Sequence, residues 1–326
     1  KIDNQSRKDL IELKKLNAND GKSWEVFYRI RDNDTGKLEW DISASDPAGN
    51  TLVKDDNVTS VPALKFAVFD NFSFTADTTS PLLDNLSIVA SKVENAFAYD
   101  NNSRHVLKAG DNLTLTFTTN ENVDNTSLGT ILKIGSDNRT LALKSLNSNQ
   151  GKSWLASYSI QTNDNGLITW NLSGYDRAGN LLIKDPNLTK VNSLNFVGFD
   201  NGSNNYSFEV DNSRPVINVM SLVSSNTGKD YDNQSIKVAK AGDNLTVNFQ
   251  TNEAIDAPNL ELRFGGHAAA GSGSLTDDNQ SIDPGRYWKG TYELSDNDSG
   301  ILSLHFSGID RAGNEIKIDV NEVTDT

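Results

Sequence analysis

Acidic residues return in this chain at fixed places, and they are the side chains best suited to do chemistry. Asp46-Pro47-Ala48-Gly49-Asn50 recurs as Asp176-Arg177-Ala178-Gly179-Asn180 and as Asp310-Arg311-Ala312-Gly313-Asn314. A carboxylate that leads into a tight turn can accept the backbone N–H groups of that turn. The same carboxylate, brought beside other acids, can help hold calcium, which takes about six to eight oxygens from carboxylates, carbonyls and water. Both roles stay open at the level of sequence. Catalysis is a poorer match. A glycosidase needs two acids held across a cleft, one of them with a raised pKa, whereas these acids occur equivalently in every copy. The three histidines, His105, His267 and His305, are paired with no repeated acid and serine. His305 alternates with Leu304 and Phe306 and is expected on the exposed face of a strand, and His267 lies in a small-residue loop special to the third copy. No phosphate-cradling loop is found. The chain reads as no enzyme.

The elements that must position these acids follow from an internal repeat. Gly21-Lys22-Ser23-Trp24 returns as Gly151-Lys152-Ser153-Trp154 and, loosened, as Gly285-Arg286-Tyr287-Trp288. In each copy the tryptophan precedes the pentapeptide aspartate by about 22 positions, and the copies recur about every 130 residues. Ala109-Gly110-Asp111-Asn112-Leu113-Thr114 recurs as Ala241-Gly242-Asp243-Asn244-Leu245-Thr246, with no counterpart ahead of Trp24. The first copy is therefore expected to lack its opening strands. Pro81 and Pro215 each follow a polar cluster, Thr78-Thr79-Ser80 and Asn212-Ser213-Arg214, and mark boundaries. The expected units are 1–79, 80–211 and 212–326.

Within a unit the hydrophobic period is two. Leu113, Leu115 and Phe117 alternate with threonines; Trp154, Ala156, Tyr158 and Ile160 alternate with Leu155, Ser157 and Ser159; Ile168, Trp170 and Leu172 alternate with Thr169 and Asn171. That beat specifies strands with one apolar and one polar face. Arg7 to Lys15 reads as strand by analogy with Thr140 to Lys144. Asp34-Thr35-Gly36 and Asp164-Asn165-Gly166 separate alternating runs and predict hairpins. A further hairpin joins Phe196 to Phe199 with Tyr206 to Val210 through Asn201-Gly202-Ser203-Asn204. All five tryptophans occupy the apolar phase and are expected in cores. The fold class is all-β, with tandem immunoglobulin-like β-sandwich domains.

The string Trp154-x-Ala156-x-Tyr158-x-Ile160, then Asp164-x-Gly166, then Asp-Arg-Ala-Gly-Asn, resembles the bacterial and archaeal immunoglobulin-like repeats of giant adhesins and surface-layer proteins. Asn120-Glu121-Asn122-Val123 and Asn252-Glu253-Ala254-Ile255 are similar to the end of the second strand of those repeats, and Val210 to Pro215 is similar to their linker. The resemblance covers nearly the whole chain. It implies an extracellular location at the cell surface or S-layer, neighbouring modules or further copies of the chain as partners, and either a structural envelope role or an adhesin stalk. An accessory carbohydrate-binding region of a secreted hydrolase is a third implied role.

In such a sandwich the incoming linker, the loop after the second strand and the loop before the last strands gather at one end. Asp77, Glu121, Asp124 and Asp176 are then candidate calcium ligands, with Asp211, Glu253, Asp256 and Asp310 one copy later. A second candidate set lies at the opposite end: Asp32, Asp34, Asp164, Asp296 and Asp298. Composition agrees with cation binding, and also with acidity that only keeps a crowded surface protein soluble. Asp and Glu number 44 against 30 Lys and Arg, a net charge of −14, which repels nucleic acid and anionic lipid and draws metal cations. With no cysteine, disulfides and thiolate zinc sites are excluded. No apolar run approaches the roughly 20 residues that cross a bilayer, so no membrane insertion is expected. The chain opens on Lys1 without a signal peptide and reads as a processed or excised segment. Asn-x-Ser/Thr sequons number about seventeen where composition alone gives roughly seven or eight. Asn112, Asn171 and Asn244 stand on outward strand positions and are candidate N-glycosylation sites; the excess also arises wherever Asn and Thr crowd a polar face.

Overall fold

The computed structural model describes residues 1–3, 5–16, 21–91, 103–146, 151–200, 205–226, 230–231, 236–278 and 285–317. Apart from one 3₁₀ turn at Lys8–Leu10, every regular element among them is a β-strand. The chain is an all-β protein of several sheets, as the two-residue beat requires. Part of the Arg7 to Lys15 strand differs: only Glu12–Lys15 is extended, and the 3₁₀ turn, which buries no residue, takes the residues before it.

The second copy shows the arrangement most fully. One sheet runs in the order Lys144–Ser145, Ser153–Ser159, Asn112–Thr119, Leu82–Ala90, Ile183–Lys184. The other runs Ser103–Leu107, Asn205–Val210, Gly166–Ser173, Gly129–Ile134, Asp137–Leu141, with Asn195–Phe196 and Gly198–Asp200 attached. Alternation delivers Leu113, Leu115, Phe117, Trp154 and Ala156 from the first sheet, and Leu132, Ile168, Trp170 and Leu172 from the second, into one core. Each such leucine, isoleucine or phenylalanine fully removed from water contributes about 1.5–3 kcal/mol. The antiparallel pairing of Gly198–Asp200 with Asn205–Val210 forms the late hairpin; its Asn201-Gly202-Ser203-Asn204 turn lies outside the described residues.

The connection through Asp164 departs from the expected hairpin. Ser153–Ser159 and Gly166–Ser173 belong to different sheets, so the segment between them is an arch that carries the chain across the sandwich. Its cause is the buried Asp164 carboxylate. It accepts the Tyr158 hydroxyl at 2.7 Å, the Gln161 N–H at 2.8 Å and Arg139 Nη2 at 2.9 Å. These bonds fold the run back under its own sheet. Asp34 in the first copy collects Tyr28, the Arg31 N–H and Arg7, and Asp298 in the third collects Tyr292, the Ser295 N–H and the Ala270 N–H.

In the third copy a sheet of Ile217–Ser224, Asn244–Thr251, Tyr287–Glu293 and Ser272–Asp277 faces one of His267–Ala268, Ile255–Phe264 and Leu302–Asp310. At the repeat positions of Ala156 and Trp170 this copy has Gly290 and Leu304, and a cavity of about 330 Å³ lies between its sheets, lined by Leu245, Val247, Leu260 and Gly290. The first copy keeps only short ladders, and of its hydrophobic residues Ile2 and Ala76 alone are buried among the described residues. Trp154 and Trp170 reach the core as expected, but Trp24 stays half exposed because no described strand covers it.

Leu115→Ala, at a fully buried position, is expected to lower stability by about 2–5 kcal/mol. Leu13→Ala, at an exposed one, is expected to change it by about 0.5 kcal/mol or less. Urea unfolding followed by tryptophan fluorescence measures both.

Candidate metal centre

Three segments meet at the start of the second copy, and a short set of bonds holds them. The strand Asn112–Thr119 ends on buried Thr119, whose hydroxyl donates to the Glu121 carbonyl at 2.7 Å and fixes the backbone there. Asn120 Oδ1 accepts the Leu82 N–H at 2.7 Å, tying this loop to the first strand of the copy. After Gly166–Ser173 the Asp-Arg-Ala-Gly-Asn turn closes on itself: Asp176 accepts the Asn180 N–H at 2.9 Å and Asn180 Nδ2 at 2.8 Å. Gly179 takes a φ of +93° there, a conformation that costs glycine little. Asn180 Nδ2 also donates to the carbonyl of Asp77 at 3.1 Å and so grips the incoming segment. As a result Asp77, Glu121 and Asp176 present carboxylate oxygens within 4.8 Å of one another.

The same construction stands one copy later. Thr251 Oγ1 donates to the Glu253 carbonyl at 2.6 Å, Asn252 Oδ1 accepts the Val216 N–H at 2.7 Å, and Asn314 Nδ2 bonds both Asp310 at 2.8 Å and the carbonyl of Asp211 at 3.0 Å. Asp211, Glu253 and Asp310 form the second cluster, again within 4.8 Å. Sequence reasoning missed Asn180 and Asn314. The signal was present, since asparagine closes all three pentapeptides.

Crowded like charges with little water raise carboxylate pKa values. Burial, then the charges of Asp211 and Asp310, push Glu253 up to about 7. Burial and then Asp77 and Asp176 raise Glu121 in the same direction, and burial raises Asp310. Glu121 Oε1 and Glu253 Oε1 are buried without a hydrogen-bond partner. Three carboxylates, one with an unsatisfied oxygen, suit a hard cation such as calcium, and thiolate or imidazole metals find no ligand of theirs in either cluster.

The remaining candidates are placed differently. Asp124 accepts the N–H and hydroxyl of Thr126, and these bonds hold its pKa down; it stands outside the cluster. Asp256 also stands outside, with its Oδ2 buried and without a hydrogen-bond partner. Asp164 and Asp298 turn inward: against the burial that would raise them, their arch hydrogen bonds hold both below the ordinary carboxylate value. Asp34 is held down by Tyr28 first. Asp32 and Asp296 are exposed. What these arches offer the junction is carbonyls, not carboxylates: Thr78 Oγ1 donates to the Asp32 carbonyl at 2.5 Å, and Asn212 Nδ2 to the Gln161 and Asp164 carbonyls at 2.9 and 2.6 Å. Asn112, Asn171 and Asn244 are exposed on their strands, as is His305.

No protein-family model matches the chain, and no curated protein matches it. No helix among the described residues is long and apolar enough to cross a membrane.

Because the folded-state pKa of Glu253 lies above its ordinary 4.5, the folded protein holds more protons than the unfolded chain between about 4.5 and about 7. In chelator, this contribution to stability is complete below 4.5 and is lost as pH rises through about 7. Urea midpoints taken across that window should fall with pH, and Glu253→Gln should flatten the slope; an unchanged slope in the variant refutes the assignment.

Proposed function

We propose that this chain is a non-catalytic structural segment of an extracellular cell-envelope protein, a surface-layer subunit, whose tandem immunoglobulin-like sandwiches are locked in line by calcium. One observation carries the reading: the same three-acid set stands at both junctions, with one acid from the incoming segment and two from the unit that receives it. Asp77, Glu121 and Asp176 would hold one ion, and Asp211, Glu253 and Asp310 the other. A divalent cation there supplies charge neutralisation and a cross-link between successive units. The fixed asparagine bonds preorganise the ligands, so little ordering is left for the ion to impose.

Other contacts support a rod over a loose string. Lys108 Nζ donates to the Gly313 carbonyl at 2.7 Å, Asn165 Nδ2 to Ser213 Oγ at 2.9 Å, and Arg214 Nε to the Glu315 carbonyl at 2.9 Å. Since the first two run between neighbours along the chain and the third holds the incoming segment to its own unit, a calcium-stiffened adhesin stalk is the second reading. The exposed Asn112, Asn171 and Asn244 would carry N-linked glycans on either kind of surface protein. A sugar-stacking role is less favoured, because Trp154 and Trp170 are buried and Trp24 alone of the five tryptophans is exposed.

Calorimetric titration of the chelated protein with calcium should show two sites, with Glu121→Gln and Glu253→Gln each removing one. At a free concentration 100 times its Kd, an ion that binds only the folded state adds about 2.7 kcal/mol. No heat and no stabilisation would refute the proposal. Two-dimensional sheets formed on adding calcium favour the envelope lattice, and monomeric rods favour the stalk.

A further inference from the structure

The third copy differs from the second in where its chain changes sheets. In the second, Asp137–Leu141 stays beside Gly129–Ile134, with Leu141 opposite Thr130. In the third the matching ladder holds two pairs, Phe264 with His267 and Arg263 with Ala268. The chain then leaves through Ala269-Ala270-Gly271 and joins the other sheet as Ser272–Asp277, beside Tyr287–Glu293. A Cβ on Gly271 would run into the Glu293 carbonyl oxygen, so only glycine fits this crossing. The early crossing parts the two sheets along one side, and the cavity of about 330 Å³ occupies the gap. Exposed Asn259, Ala268 and Gly273 are among its lining, so it reaches the surface. Every lining residue lies between Leu245 and Tyr292, and the neighbouring strand Leu302–Asp310 contributes none.

The walls are apolar: Leu245, Val247, Leu260, Leu262 and Leu275, with the ring of Tyr292. The polar groups around them are already engaged. The Tyr292 hydroxyl donates to Asp298 at 2.9 Å and accepts the Gly271 N–H, and Glu261 is tied to Arg263 at 3.0 Å. A charge entering the cavity would meet no free counter-ion, which makes its burial costly. The mouth is different. The Ala269 N–H donates to the Leu262 carbonyl at 2.9 Å. Because strand bonds alternate, Leu260, two residues back, turns its N–H and C=O toward the same side. No described strand pairs with Leu260 there, whereas Thr130, at the same repeat position, faces Leu141. Pro258, next in this orientation, has no N–H. The open edge therefore offers one N–H, too little to template a strand and enough to bind one polar end of a small molecule.

We propose that this cavity is a binding site for a neutral small molecule with a ring-sized apolar body and a hydroxyl at one end, a phenol being the simplest case. The ring lies among the leucines beside Tyr292, where aromatic rings gain from offset or edge contacts. The hydroxyl takes the Leu260 backbone at the mouth. The volume stands at the lower end of ligand pockets, about 300–1,000 Å³, and so selects one ring over larger bodies. The second copy has no such site, since Ala156 at the Gly290 position and Leu141 on the uncrossed strand are both buried in its core. The site does not involve the cation clusters.

The test uses the full chain in chelator, so that its failure is separable from failure of calcium binding. 4-Methylphenol is titrated while backbone amide shifts are followed by nuclear magnetic resonance. Saturable shifts are expected at Leu260, Leu275 and Gly290, and none at Thr130, Leu143 and Ala156 of the second copy. Ala269→Phe, which fills the cavity, should weaken the Kd about tenfold or more. Ala268→Trp, at an exposed position on the mouth, should do the same without burdening the fold. Toluene, which lacks the hydroxyl, should bind about tenfold more weakly. The proposal is overturned by the absence of saturable shifts, by equal shifts in the second copy, by unchanged affinity in both variants, or by toluene binding as tightly as 4-methylphenol.

Discussion

A buried aspartate decides how this chain becomes a sandwich. Two alternating runs separated by Asp-x-Gly have two ways to meet: side by side in one sheet, or face to face in two. Asp164 settles the matter, because a carboxylate at almost no exposure must collect donors, and the donors in reach lie on the preceding strand, in the turn and on Arg139. Satisfying them bends the chain across the core. Asp34 and Asp298 repeat the arrangement, although the third copy replaces the arginine with the Ala270 N–H. The arch sets the spacing of the sheets, the sheets set where the loops emerge, and the loops carry the acids.

In the second and third copies the two ends consequently use carboxylates in opposite ways. At the arch the carboxylate is saturated by donors and its pKa is held down. At the junction Glu121 and Glu253 keep an oxygen without a donor among other acids, and their pKa values rise. Donor count separates the two environments.

Much of the fold was legible because the side-chain period of two leaves a strong mark. Leu113, Leu115, Phe117, Trp154, Trp170 and Leu172 all point where their phase requires. The arch was not legible, since Asp-Asn-Gly is also a good hairpin sequence and the pull of Arg139 comes from 25 residues away. Of the site, the repeat found Asp77, Glu121, Asp176, Asp211, Glu253 and Asp310. It could not separate them from Asp124 and Asp256, three residues further along from each glutamate, because Asp124 is drawn away by its own turn and Asp256 belongs to the strand that follows. Trp24 misled for a related reason: its phase is correct, but phase promises burial only where an opposing strand exists.

The position of Asp211 ties the fates of successive units together. It follows directly on the strand Asn205–Val210 of one sandwich, while its carboxylate belongs to a cluster built on the next. If the former melts, the latter loses one carboxylate of its cluster and the anchor for Asn314 at the same moment. Stability in such an array is shared with nearest neighbours, so a pulling force meets a row of interlocked links in which a breach at one weakens the next.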